Sequence, residues 1–332
     1  MSKFYKKWIE LNNSIYGLWS ADIKYSDTQT IKDKLDELIT YYSYIIASGY
    51  FAGGYTGSYY SFIDKLLFIN ETKNTLTATL SRSVGYQSAC NSTLSGYFAG
   101  GYNSNNQSFI DKLLFSNESQ STLTVILSRS VYNQSACNST SAGYFTGGFG
   151  GGYQSFIDKL LFSNESRSTL TATLSRQVYA QSACNSTLSG YFAGGFPSYQ
   201  SFIDKLLFSD ESHSTLTATL SRSVEYQSAC NSILSGYFAG GSNGSYQSHI
   251  DKLLFSNESR TTLSVTLSQF IVNQSACNSS ITGYFAGGSD NNYSYRSFID
   301  KLLFSNETRS TLIATLSRTI SYQSACQSGG IL

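Results

Sequence analysis

The sequence predicts an all-β fold, a closed six-bladed β-propeller of four-stranded antiparallel blades, and three observations carry that expectation. The 332 residues are rich in Tyr, Phe, Ser, Thr, Asn and Gly and hold a single Pro and a single Met, a palette of strands joined by tight turns. The element Gly-Tyr-Phe-Ala/Thr-Gly-Gly begins at Gly49, Gly96, Gly143, Gly190, Gly236 and Gly283, so its copies lie 47, 47, 47, 46 and 47 residues apart. Each copy continues with Phe-Ile-Asp-Lys-Leu-Leu-Phe (His249 replaces the first Phe in the fifth), then a run like Thr-Leu-Thr-Ala-Thr-Leu-Ser-Arg, then Gln-Ser-Ala-Cys. A period of about 40 to 50 residues with four strand-like runs is that of a propeller blade.

In chain order, residues 1–46 come first and stand outside the repeats. They hold both tryptophans, Trp8 and Trp19, and a stripe of Ile31, Leu35, Leu38, Tyr42 and Ile45 at spacings of 4, 3, 4 and 3. That spacing predicts a helix from about Thr28, but two heptads are marginal alone, so the segment is expected to dock on a partner or cap the propeller. The N-terminus has basic residues without an apolar run of signal-peptide length, and no stretch approaches the ~18 apolar residues of a membrane helix. A soluble chain without membrane insertion is the expectation.

Residues 47–332 form the repeated part. The innermost strand, a, is expected at Ser88 to Ser92, b at Gly96 to Gly101, c at Phe109 to Ser116 and d at Leu123 to Ser128. Thr75 to Leu80 alternates strictly, with Leu76, Ala78 and Leu80 on one face, as a strand buried on one side does. In Phe62 to Phe68 the apolar residues fall on both faces, Phe62, Leu66 and Phe68 against Ile63 and Leu67, so that strand needs neighbours on each side. Radially packed blades supply them. The repeats open on strand b at Gly49 and close on strand a at Ser324 to Ser328, so the last strand is expected to complete the first blade and leave no broken edge. The competing arrangement uses Tyr41 to Ala47 as that strand and strands the C-terminal one.

Charge names no partner. Lys plus Arg number 22 against 21 Asp plus Glu, which disfavours nucleic acid and anionic membranes. Sequons such as Asn91, Asn117 and Asn138 are most simply repeated polar turns. One cysteine recurs per repeat (Cys90, Cys137, Cys184, Cys230, Cys277, Cys326), never as a close pair, and reads as a reduced packing residue without disulfide or metal. His213 and His249 occupy unrelated positions and make neither triad nor metal site. The recurring Asp64, Asp111, Asp158, Asp204, Asp251 and Asp300 suit a structural role, such as accepting N–H bonds from a neighbouring turn, better than catalysis, which needs one acid or an asymmetric pair. The Gly147–Gly152 stretch opens no helix and is expected to be a loop. No enzyme activity and no cofactor are expected.

What differs between repeats is informative. The b–c loops, Tyr55 to Ser61, Tyr102 to Ser108, Phe149 to Ser155, Phe196 to Ser201, Ser242 to Ser248 and Ser289 to Ser297, have lengths of 7, 7, 7, 6, 7 and 9, and the d–a connections vary with them. The a–b turns and the c–d turns, read as Asn-Glu-Ser-Arg-Ser-Thr, barely change, which offers Glu118 and Glu165 there as control positions. In an up-down-up-down blade the variable connections share one face. Their Tyr, Asn, Ser and Gly give rigid amphipathic contact and adaptable hydrogen bonding, as recognition surfaces do, where the alternative is drift in unconstrained turns. The candidate ligand-binding residues are Tyr55, Tyr59, Tyr60, Tyr102, Phe149, Tyr153, Phe196, Tyr199, Tyr246, Tyr293, Tyr295 and Arg296 from b–c loops, and Tyr86, Tyr132, Tyr179, Tyr226 and Tyr322 from d–a connections. Trp8, Trp19, Ile31, Leu35 and Leu38 are the candidates for docking.

The double Gly closing strand b, the aromatic ending c and the Arg ending d (Arg82, Arg129, Arg176, Arg222, Arg318) resemble the Kelch-type repeat over roughly residues 49 to 328. The sequence departs from it in lacking the Kelch Trp in strand d and in placing Gln269 for Arg in the fifth copy. The Gly-Tyr-Phe-Ala-Gly-Gly and Ile-Asp-Lys-Leu-Leu-Phe-Ser-Asn-Glu-Thr strings resemble propeller repeats of structural proteins of tailed bacteriophages, especially cyanophages. That resemblance implies a non-enzymatic virion component, docked to other virion proteins through residues 1–46 and meeting a host-surface glycan or protein with its variable face. The Kelch resemblance implies the alternative, a cytoplasmic protein-interaction scaffold.

Overall fold

The computed structural model describes residues 47–329. Trp8, Trp19, Ile31, Leu35, Leu38 and the helix expected from about Thr28 lie outside the described residues. Six four-stranded antiparallel sheets form the blades. In blade 2 the strands are Ser88–Asn91 (a), Ser95–Ala99 (b), Ile110–Leu114 (c) and Ser119–Thr122 (d), bonded in that order. Blades 3 to 6 repeat it, with a strands at Ser135–Asn138, Ser182–Asn185, Ser228–Asn231 and Ser275–Asn278. The a strands of neighbouring blades lie against one another around a central channel.

Blade 1 is assembled from both ends of the repeated region, as the register of the repeats predicts. Ser324–Ser328 pairs antiparallel with Ser48–Ala52, which continues into Phe62–Leu67 and Thr72–Thr79. Closure therefore uses the same ladder as every other blade.

The outermost strand corrects the sequence reading. The ladder runs along Ser119–Thr122, inside what looks like a turn, while Leu123 to Ser128 leaves regular pairing and is tied to its own blade by isolated backbone bonds, Leu123 N–H to Ile110 at 2.9 Å and Leu127 N–H to Ser108 at 2.8 Å. Only in blade 1 does the strand run on to Thr79, past a register shift between Phe62 and Asp64. The outer edge faces water, so its paired residues are polar and carry no alternation; the alternating segment beyond it turns Leu80, Leu127 and their equivalents inward without needing a ladder.

Each core lies between two blades, and strand c feeds two of them, as its two apolar faces require: Leu66 packs toward blade 6, Ile63 toward blade 2. The interblade contacts recur around the ring. Tyr97 stacks on Phe162 of the next blade at 5.2 Å between ring centres, and the series closes with Tyr284 on Phe68 at 5.1 Å. Lys112 pairs with Glu165 at 2.5 Å, the Tyr97 hydroxyl donates to the same carboxylate at 3.4 Å, and Lys301 with Glu71 closes that belt. Glu118 and Glu165 are thus interblade ties, not inert surface positions. Asp158, fully buried, accepts the Thr169 hydroxyl of its own blade at 2.6 Å and the Ser128 N–H of the preceding blade at 2.7 Å. The expected acceptance of backbone N–H bonds by this series is what the structure shows.

The six cysteines point between blades, each against a strand b glycine of the next. A Cβ at Gly143 would overlap the Cys90 sulfur, and Gly49 meets Cys277 in the same way across the closure. The glycine is therefore demanded by volume.

Candidate binding face

Strand b leaves its sheet toward the variable face through the double glycine. Gly53 and Gly54 have φ of 67° and 107°, and a Cβ on Gly53 would sit 2.5 Å from the Val84 carbonyl oxygen, so neither conformation nor space admits a side chain. The next residue of each blade then pairs across to the d–a connection that leads from the preceding blade into its own strand a. These couples are Tyr55 with Ser321, Tyr102 with Gly85, Phe149 with Tyr132, Phe196 with Tyr179, Ser242 with Glu225 and Ser289 with Val272.

One residue further in, the six connections join. The N–H of Asn133 donates to the Tyr86 carbonyl at 2.8 Å, Ala180 to Asn133 at 2.8 Å, Tyr226 to Ala180 at 2.9 Å, Asn273 to Tyr226 at 3.0 Å, Tyr322 to Asn273 at 3.0 Å and Tyr86 to Tyr322 at 2.8 Å. The circuit is closed and rings the channel mouth. All six residues are non-glycine at φ between 51° and 61°, a conformation that costs side-chain-bearing residues energy and that the circuit holds in place. At the far end the Asn side chains make a similar but open ladder, Asn91 N–H to Asn138 Oδ1 at 3.3 Å and onward, with Gln327 in the place of Asn in blade 1.

On this frame the aromatics gather into one arc. Rings touch in sequence from Tyr295 to Tyr55 (6.1 Å), Tyr59 (5.0 Å), Tyr102 (6.0 Å) and Tyr132 (5.6 Å). The arc continues through Phe149, Tyr153, Tyr179 and Phe196, where Tyr153 stacks on Tyr179 at 5.5 Å, and ends at Tyr199. Tyr86 lies 3.9 Å from Tyr322 and touches Tyr132, and the Tyr226 hydroxyl donates to that of Tyr179 at 3.2 Å, so the inner tyrosines belong to the same body. Burial, and after it the neighbouring phenols, Tyr322 for Tyr86 and the hydrogen-bonded Tyr179 for Tyr226, push the Tyr86 and Tyr226 phenols above their ordinary range. All these rings are half-buried.

The remaining candidates separate from it. Tyr60 lies under the Arg318 guanidinium of blade 6 at 4.8 Å, a packing role. Tyr246 touches only Tyr293 among aromatic rings of the described residues, and Tyr293 is 79% exposed. Arg296 forms an ion pair with Asp290 in its own loop.

The face is consequently lopsided. Blades 1 to 4 present aromatic rings after the double glycine, whereas blades 5 and 6 present Ser242 and Ser289, flanked by Glu225, Val272 and Asp290. Sequence reasoning singled out the tyrosines but missed Glu225. Its signal was available in the aligned d–a connections, where Gly, Tyr, Tyr, Val and Ser stand at the equivalent positions.

No protein-family model matches the chain, and no curated protein matches it. What the geometry defines is a closed six-bladed propeller with one diversified loop face, a fold compatible with binding another protein.

Proposed function

We propose that the chain is a non-enzymatic virion protein of a tailed phage, whose variable face recognises a host-surface glycan or protein while residues 1–46 dock it to other virion proteins. The observation that carries this reading is the aromatic arc, concentrated over blades 1 to 4 of a scaffold otherwise repeated around the ring. Half-buried rings braced against each other lose little freedom when a ligand settles on them, and their hydroxyls supply hydrogen bonds at the rim. The resemblance of the repeat strings to cyanophage propeller repeats supports the virion assignment.

The test is adsorption of the purified full chain to cyanobacterial cells and to lipopolysaccharide extracted from them. Tyr153→Ala and Tyr179→Ala, which open the stacked centre of the arc, should each weaken adsorption by about 2 kcal/mol. Tyr295→Ala probes its blade 6 end, and Tyr293→Ala the separate Tyr246–Tyr293 pair. Thr93→Ala, exposed in an a–b turn of the opposite face, serves as control, and melting curves verify folding. Unaltered adsorption by folded arc variants, with loss in the control, would reverse the faces.

A further inference from the structure

We propose that Glu225, at the edge of the channel mouth, binds an ammonium group, the tyrosines beside it forming the rest of the site; this rests on the reading of the variable face as a recognition surface. Every other described carboxylate has a partner. The six Asp of strand c take Thr hydroxyls and Ser N–H groups, the six Glu of the c–d turns take lysines, Asp210 takes the Ser212 N–H at 3.0 Å, and Asp290 takes Arg296. Glu225 has none of these: it is 9% exposed, and its Oε2 has no hydrogen-bond partner.

Its main chain is fixed by paired bonds to Ser242, N–H to carbonyl at 2.9 Å one way and 2.8 Å the other, so the carboxyl is held at its site. The titratable groups near enough to interact with it are the phenols of Tyr179, Tyr226 and Tyr322, all aromatic and none cationic. Burial alone raises the carboxyl to about 7. A buried acid without a counter-charge, next in sequence to Tyr226 and within electrostatic reach of Tyr179 and Tyr322, is completed by an organic cation: the carboxylate supplies the charge, and the tyrosine rings supply cation–π attraction. A neutral or anionic group gains from neither. Equivalent positions in the other blades lack a carboxylate, so one such group is bound per propeller.

The experiment titrates the full chain with tetramethylammonium, whose charge does not change with pH, and with tert-butanol, a neutral molecule of similar shape, following the tyrosine ring signals by NMR. Tetramethylammonium should shift the Tyr179, Tyr226 and Tyr322 signals and tert-butanol should not. Binding should tighten as pH rises through about 7, when the carboxyl ionises, and Glu225→Gln should weaken it about ten- to a hundredfold and abolish the pH dependence. Glucosamine and Nα-acetyllysine amide, run in parallel, distinguish a saccharide source of the ammonium from a protein one. Equal binding by the wild type and Glu225→Gln, or none by any cationic probe, overturns the proposal. If Glu225→Gln adsorbs to cells normally while Tyr153→Ala does not, the recognition face stands and the ammonium site falls; if both adsorb normally, both readings fall.

Discussion

Tyr50 and Cys326 stand directly opposite each other in the ladder that joins the two ends of the propeller chain. Deleting residues 324–332 removes the innermost strand of blade 1, leaves Ser48–Ala52 as an unpaired edge and takes the sulfur from beside Gly96. We expect the melting temperature followed by circular dichroism to fall by more than about 10 °C, or cooperativity to be lost. Melting like the full chain would mean that closure contributes little.

Gly143→Ala should destabilise the fold by about 1 to 3 kcal/mol, because the new methyl overlaps the Cys90 sulfur across the blade interface. Adding Cys90→Ala to the same chain should recover part of that loss, although Cys90→Ala alone opens a cavity. A double-mutant cycle by urea denaturation measures the coupling, and strict additivity would show that the two residues do not compete for one space.

All six thiols are buried, and burial pushes the Cys90 thiol well above its ordinary range. The folded chain without reductant should therefore react with none of its thiols on the timescale of a thiol-disulfide reagent, and the denatured chain with all six. Fewer than six in the denatured chain would reveal a disulfide or another modification.

Glu225 gives stability a pH dependence of defined sign. Its carboxyl is raised to about 7 by burial, so between the unfolded value and about 7 the folded chain holds a proton that the unfolded chain has released. The contribution is complete at low pH and lost as pH rises through about 7, up to about 3 kcal/mol. The stability difference between Glu225→Gln and wild type should thus grow in favour of the variant from about pH 4.5 to 7 and level off above. A constant difference would place the carboxyl in water.

Closure was legible because register is a matter of counting: a repeat that opens on strand b and ends on strand a has one place for its last strand. Lys112 and Glu165 were harder, since each recurs once per repeat and the sequence does not say whether a Lys meets the Glu of its own blade or of the next. The outer strand Ser119–Thr122 was hidden because an exposed edge selects polar residues, which read as a turn. In the binding face the tyrosines could be found as types, but their gathering over blades 1 to 4 needed the pairing of Phe149 with Tyr132 and of Phe196 with Tyr179, which loop sequences alone do not provide.

The six bonds around the channel mouth, from Tyr86 through Asn133, Ala180, Tyr226 and Asn273 to Tyr322 and back, make a hoop out of turns that belong to separate blades. Every N–H points the same way round, so the peptide dipoles chase one another without a first or last member. A hoop has no end from which to fray. To free one of these amides the chain must break the circle, and the neighbours lose their alignment with it. The six should therefore exchange with deuterium as a set, with a protection that ordinary surface turns lack, and a load placed on the tyrosines of one blade is shared by the whole rim.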